Sequence, residues 1–297
     1  MATEDPNPLA LELDLSPELE ALSKILDGQI AALEVVRNAL SDIQLGAHLM
    51  ARTVRDGGKV VYVGAGSSAL MAISDGLELS GTFGISPDTI RLCMAGGIPH
   101  DANMPGDTED DVAEGQRIGS ELGPSDLVIA VSASGRTPYS VAFARAAREG
   151  GADVIAIANN VNAPLFDSAN VSILLETPPE IIAGSTRLGA ATAQKAALNL
   201  MSTLMGLRLG NVYDGMMVGV IADNDKLRKR AHKMVAAIAK VDAKAAAASL
   251  AKSKGAVKPA VLIALGASPV AAQDLLTEEK GLLRSAIERI QSVERQR

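Results

Sequence analysis

Two short stretches rich in glycine and serine carry the first chemical signal. Gly64-Ala-Gly-Ser-Ser68 follows a β-branched run and opens a helical one. Ser132-Ala-Ser-Gly-Arg-Thr137 does the same, ahead of Pro138. Glycine lets a backbone approach an anion closely, helix N-terminal N–H groups point at it, and serine and threonine hydroxyls add donors. The ligand class this suits is a phosphate monoester. Taken singly, Ser67 and Ser134 read equally well as helix N-caps. Two such loops, each between a strand and a helix, favour the anion. Gly64-x-Gly66-x-x-Ala69 also imitates a dinucleotide fingerprint. That motif needs an acid at the end of the second strand, where this chain has Met94-Ala-Gly-Gly97, and NAD binding is rejected. The second loop lacks the Gly-x-Ser-x-Gly pattern of a hydrolase elbow, and no histidine falls at a triad position.

Carboxylates are the remaining reactive groups. Glu78 lies at the end of the helix that follows the first loop, and Glu109 sits in the middle of Asp107-Thr-Glu-Asp-Asp111, ahead of another helix. An acidic cluster before a helix commonly serves its N-terminus, so these residues alone leave capping and acid–base chemistry both open. The one cysteine, Cys93, lies in the apolar run Ile90–Met94. It reads as a buried structural thiol and excludes an internal disulfide and a multi-cysteine metal site. The three histidines, His48, His100 and His232, are far apart, so no metal site is expected.

The elements that must hold these groups follow from hydrophobic patterning. Five short runs end in turn residues: Val60–Val63, Thr89–Met94, Asp126–Val131, Asp153–Ala158 and Val171–Leu175. Four are almost continuously apolar, as for strands covered on both faces. Helical patterns separate them at Ser68–Leu79, Ala113–Leu122 and Tyr139–Glu149. Alternation of this kind predicts a doubly wound α/β domain with a five-stranded parallel sheet. Ligands of such sheets bind beyond the carboxyl ends of the strands, where both loops fall. Ser16, Pro17, Glu18 and Glu20 predict a helix start capped by Ser16. Thr186–Leu209 reads as a long helix. Lys226–Lys233 reads as a basic, solvated helix face, with an anion or partner contact as the alternative. Three short helical patterns follow from Val241 to the end. The domains expected are residues 1–50 as lead-in and N-terminal helices, 51–225 as the ligand-binding domain, and 226–297 as a small helical C-terminal domain.

Composition narrows the partners. Among 297 residues there are three Tyr, three Phe and no Trp, and the net charge is -7. Neither a base-stacking platform nor a basic footprint is present, so no nucleic acid is expected. No apolar stretch reaches about 18 residues, so no membrane is expected. The N-terminal residues are acidic and polar, unlike a secretory signal, and a cytoplasmic protein is expected.

The two loops, Gly64–Ser68 and Ser132–Tyr139, resemble the SIS (sugar isomerase) phosphosugar-binding domain. Further stretches follow in order: Ala95–Gly97, Thr108–Asp111, Gly184–Leu188, Thr192–Lys195, Leu198-Asn199 and Arg208–Tyr213. This series resembles the N-acetylmuramic acid 6-phosphate etherase family of peptidoglycan-recycling lyases, related to the glucokinase regulatory protein. The resemblance implies a flavodoxin-like SIS sheet and a cofactor-free, metal-free homodimer that removes D-lactate from a phosphorylated amino sugar. It implies Glu78 and Glu109 as the catalytic pair. Gly66, Ser67, Ser68, Ser132, Ser134, Gly135 and Thr137 would hold the phosphate, with Ser185, Thr186 and Arg187 lining the pocket. Alternatives within the fold are a sugar-phosphate-sensing regulator and a phosphosugar isomerase. The chain departs from the family pattern at Ala69-Leu70, where an arginine is usual, and at Gly189, where a lysine is frequent. Glu78 follows Ser67 by eleven positions, about 16 Å on a continuous helix. Either that helix breaks near Gly76, or Glu78 serves the site of the other subunit; the second is the expectation.

Overall fold

The computed structural model describes residues 4–104, 106–220, 222 and 224–294. Five parallel strands, β1 (Val60–Gly64), β2 (Ile90–Met94), β3 (Leu127–Ser132), β4 (Asp153–Ala158) and β5 (Val171–Leu174), form one sheet in the order β2-β1-β3-β4-β5. This is the doubly wound, flavodoxin-like order, with its switch point between β1 and β3. Every residue of β1 and β3 is buried, as their unbroken apolar runs require. On edge strand β5 burial alternates, with Ser172 exposed between Val171 and Ile173. In the register, Gly64 pairs with Met94 on one side and Val131 on the other. Both glycine–serine loops therefore leave the sheet at the same level.

Helices α1 (Glu18–Glu34), α2 (Leu40–Arg55), α3 (Gly66–Phe83), α4 (Val112–Gly119), α5 (Pro138–Glu149) and α6 (Gly189–Arg208) accompany the sheet. Val61, Val63, Val128, Ala130, Val154 and Ala156 point to one face and pack with Tyr139, Phe143, Ala144 and Ala147 of α5. Cys93 joins this core, and burial pushes its thiol pKa up. On the other face α3 lies close over Tyr62 and Leu92, and α2 meets Met201 of α6 and Ile155 of β4. Ser16 does not cap α1: its hydroxyl donates to the Glu12 carbonyl, and Pro17 occupies the cap position without a side-chain bond.

One buried carboxylate ties α3 to both of its supports. Asp75 is 3% exposed. It accepts from the Tyr62 hydroxyl at 2.8 Å, the Asn199 amide at 2.7 Å and the Ser202 hydroxyl at 2.8 Å. Lys195 donates in turn to Asn199. Burial, and after it the charge of Asp75, raises the Tyr62 pKa well above its usual value, so Tyr62 is held as a donor. Strand β1 and helices α3 and α6 are thereby locked in one arrangement. The helix α3 runs unbroken through Gly76.

By compactness the chain forms two units. One holds the chain up to Leu77 together with Pro87–Leu204; the other holds Glu78–Ser86 and the chain from Met205 onward. The second unit contains α7 (Asp225–Ala239), α8 (Ala243–Lys252), α9 (Val257–Ala264), α10 (Pro269–Glu278) and α11 (Leu283–Glu294). Among the described residues four short helices, rather than the expected three, follow Val241. Gly281 at φ +79° ends α10 as completely as Gly255 and Gly266 end their helices. The basic run on α7 is solvated, with Ala231, Met234 and Val235 buried on its opposite side. Within this unit Lys258 donates to Asn211 and to the Gly281 carbonyl. Burial lowers its pKa to about 8. Among the described residues no single helix is long and apolar enough to cross a membrane.

Candidate active site

The first loop is a tight strand-to-helix exit. A Cβ on Gly64 would lie 2.9 Å from the Val131 carbonyl oxygen and 3.1 Å from the Ala69 nitrogen. Only glycine lets β1 end so close to β3 and to the first turn of α3. Ser67 is half-buried and Ser68 is buried. Both lie in the first turn, where backbone N–H groups have no partner within the helix.

The second loop is organised by Ser132, which is 2% exposed. Its hydroxyl accepts from the Gly135 N–H at 3.0 Å and lies 2.9 Å from the Thr137 hydroxyl and 3.4 Å from that of Ser134. The Ser134 hydroxyl accepts from the Arg136 N–H. Gly135 stands at φ +66°, and a Cβ there would lie 2.2 Å from that of Ala163; both the conformation and the space demand glycine. The loop is pinned from behind, because the Ala133 carbonyl accepts from Asn159 N–H and the Asn160 amide. Thr137 makes no side-chain capping bond to α5. The hydroxyls of this loop are thus gathered together, and the first turn of α5 has no side-chain cap from the residue before it.

The acidic cluster divides its tasks. Asp111 caps α4, accepting from the Glu114 N–H at 2.9 Å. Glu109 lies in a 3-10 turn, Thr108–Asp110, with Oε1 3.3 Å from the place a Cβ on Gly66 would take. A cavity of about 170 Å³ opens between the loops. Its lining contains Gly66, Ser67, Ser68, Ser134, Thr137, Thr186, Glu109 and Glu4. Ser132 and Gly135 are buried behind this surface as its support. Among the described residues that line it, Ser185 and Arg187 do not appear. Glu78 stands on α3, eleven positions beyond Ser67.

Two carboxylates were not singled out from the sequence. Glu180 is 2% exposed and caps α6, accepting from the N–H groups of Gly189 and Ala190 at 2.8 Å each. A Cβ on Gly189 would come within 3.2 Å of that carboxylate. The other is Glu4, from a segment read as a lead-in. No local signal marks either: Glu180 stands nine positions before the helix it caps, and Glu4 three before Asn7. Only the long-range contacts give them meaning.

Among known proteins, the chain is 39% identical to an N-acetylmuramic acid 6-phosphate etherase of Deinococcus radiodurans over 89% of this chain and 88% of that protein. It is 36% identical to one of Geobacillus thermodenitrificans, over 97% of this chain and 99% of that protein. The chain belongs to the N-acetylmuramic acid 6-phosphate etherase family. A model of the SIS domain matches residues 28–159 of this etherase-family chain, which include both loops and Glu109. A candidate phosphosugar isomerase involved in capsule formation, from Bacteroides fragilis, shares the fold. Its TM-score is 0.52 at 19% identity, covering 67% of this chain and 95% of that one.

Proposed function

We propose that this member of the etherase family cleaves the D-lactyl ether of N-acetylmuramic acid 6-phosphate, giving D-lactate and N-acetylglucosamine 6-phosphate. One observation carries the reading: two serine loops and Glu109 meet on a single cavity at the switch point of the sheet. Gly66, Ser67, Ser68, Ser134 and Thr137 hold the phosphate, with Ser132 and Gly135 fixing the second loop. In the open-chain sugar, C2 is α to the C1 aldehyde, and its proton can be removed by a carboxylate. The electron pair forms the C2–C3 double bond as the C3–O bond breaks, and a second carboxyl protonates the departing lactate oxygen. Water then adds at C3 and a proton returns to C2. Such a pair must rest in opposite protonation states.

Glu109 is one of the two acids. Glu78 is the other, supplied by the partner subunit of a homodimer. The unbroken α3, which carries Glu78 eleven positions beyond Ser67, supports this. So does the cavity volume of about 170 Å³, below that of a complete small-molecule site. An apolar stripe on α1 supports association. Leu19, Leu22, Leu26, Ile30 and Leu33 follow helical spacing and stay 46% to 83% exposed, a surface of the kind that subunit contacts cover. Ser185 and Arg187 line the completed pocket beside Thr186. In this reading residues 51–225 are the phosphosugar-binding domain and 226–297 a small C-terminal domain.

Turnover in doubly labelled water tests the chemistry. N-acetylglucosamine 6-phosphate is expected to carry solvent deuterium at C2 and solvent ¹⁸O at C3, while lactate keeps its unlabelled ether oxygen. Solvent oxygen in lactate, with none at C3, would exclude elimination and hydration.

A further inference from the structure

We infer that Glu4 is a further substrate-contacting residue of this site, one that takes hydrogen bonds from the hydroxyl and amide N–H donors of the sugar. The inference rests on the phosphosugar reading above. Glu4 lines the same cavity as Ser67, Ser134, Thr137 and Glu109. Its Oε2 lies 3.4 Å from where a Cβ on Gly184 would stand. Gly184 belongs to the connection that also brings in Thr186. The carboxylate thus approaches from the side of that connection, along a path glycine leaves open.

The segment that carries Glu4 is anchored. Asn7 is 9% exposed, and its amide donates to the Pro179 carbonyl at 2.6 Å, across 172 positions of sequence. The Asn7 side-chain oxygen accepts from the Leu9 N–H at 2.9 Å, starting the short 3-10 turn Pro8–Ala10. Asn7 is in this sense the positioning residue for Glu4.

Charge decides what Glu4 can bind. An ionised carboxylate only accepts hydrogen bonds, and the oxygens of a phosphate dianion do the same. Glu4 would therefore weaken a site whose whole task was to hold phosphate. Among the described residues it makes no ion pair. Its presence fits a ligand that places donors close to its phosphate, and a 2-acetamido sugar has both hydroxyls and an N–H. Glu4 then discriminates sugar phosphates from phosphate itself, apart from the acid–base work assigned to Glu109.

Calorimetric titration of the full chain with N-acetylglucosamine 6-phosphate and with inorganic phosphate separates these terms. Glu4→Ala is expected to weaken the sugar phosphate about tenfold, the loss typical of one charge-assisted hydrogen bond, while inorganic phosphate binds as before or more tightly. Glu4→Gln should fall between wild type and Glu4→Ala. Asn7→Ala, which keeps the carboxylate but frees its segment, should shift the ratio in the same direction. In turnover KM should rise more than kcat falls. Unchanged sugar-phosphate affinity in Glu4→Ala would overturn the inference, and so would equal weakening of both ligands. The outcome is independent of the reaction. A wild type that prefers the sugar phosphate but releases no lactate removes the etherase reading and leaves Glu4 in place.

Discussion

Replacing the Glu109 carboxylate by an amide, Glu109→Gln, is expected to lower kcat for lactate release by about 10²- to 10⁴-fold, the usual range for a positioned acid or base. The fold should be untouched. Asp111, not Glu109, caps α4, and Glu109 is exposed in its 3-10 turn. Affinity for inorganic phosphate should also persist, since the serine loops remain. Glu78→Gln should give a comparable loss for the same chemical reason, although Glu78 and Ser67 lie eleven positions apart on one continuous helix. The two inactive variants together make a sharper experiment. If each site takes Glu109 from one subunit and Glu78 from the other, a heterodimer of the two variants contains one intact site and one doubly altered site. Random subunit exchange at equal concentrations should then restore about one quarter of wild-type activity. A Glu78→Gln enzyme of full activity would remove that residue from the mechanism. A mixture that stays inactive despite proven exchange would place both acids in one chain.

The second large effect concerns stability. Asp75→Ala is expected to destabilise the protein by about 3 kcal/mol, the size of a broken buried polar network. Three donors lose their acceptor at once, and Tyr62 among them is wholly buried. Unpaired, each of these groups keeps its desolvation cost without the bond that offset it. For a chain of 297 residues the loss should lower the melting temperature by about 5 °C. Asp75→Asn keeps the volume and one good acceptor, so its effect should be clearly smaller. Thermal denaturation of the two variants checks this, and an unchanged midpoint for Asp75→Ala would show that the network contributes nothing. Because Asp75 precedes Glu78 by less than one turn of α3, such a loss would loosen the helix that carries a proposed catalytic acid.

Much of this arrangement could be read from residue order. The strands announced themselves because parallel strands covered on both faces must be apolar throughout, and the five runs fall within a residue or two of β1–β5. The glycine–serine loops were legible for a related reason. Close approach at Gly64 and the left-handed turn at Gly135 can be met by no other residue without strain. Local signals failed where a distant partner decides the outcome. Ser16 has the composition of a cap, yet its hydroxyl is taken up by the Glu12 carbonyl. The cluster Asp107–Asp111 could not be divided from sequence, since three aspartates could each cap α4 and only the folded chain brings Glu109 to the cavity. Glu4 is the clearest case. Nothing beside it in sequence marks it, and its place depends on Asn7 reaching Pro179.

The central claim is that these loops and acids form an etherase site. Incubation of the purified chain with N-acetylmuramic acid 6-phosphate, with D-lactate and N-acetylglucosamine 6-phosphate quantified over time, tests it most directly. The account predicts equimolar release of both products at catalytic enzyme concentration, abolished in Glu109→Gln. Absence of lactate with enzyme and substrate at equal concentration, in protein that binds the substrate, would contradict it.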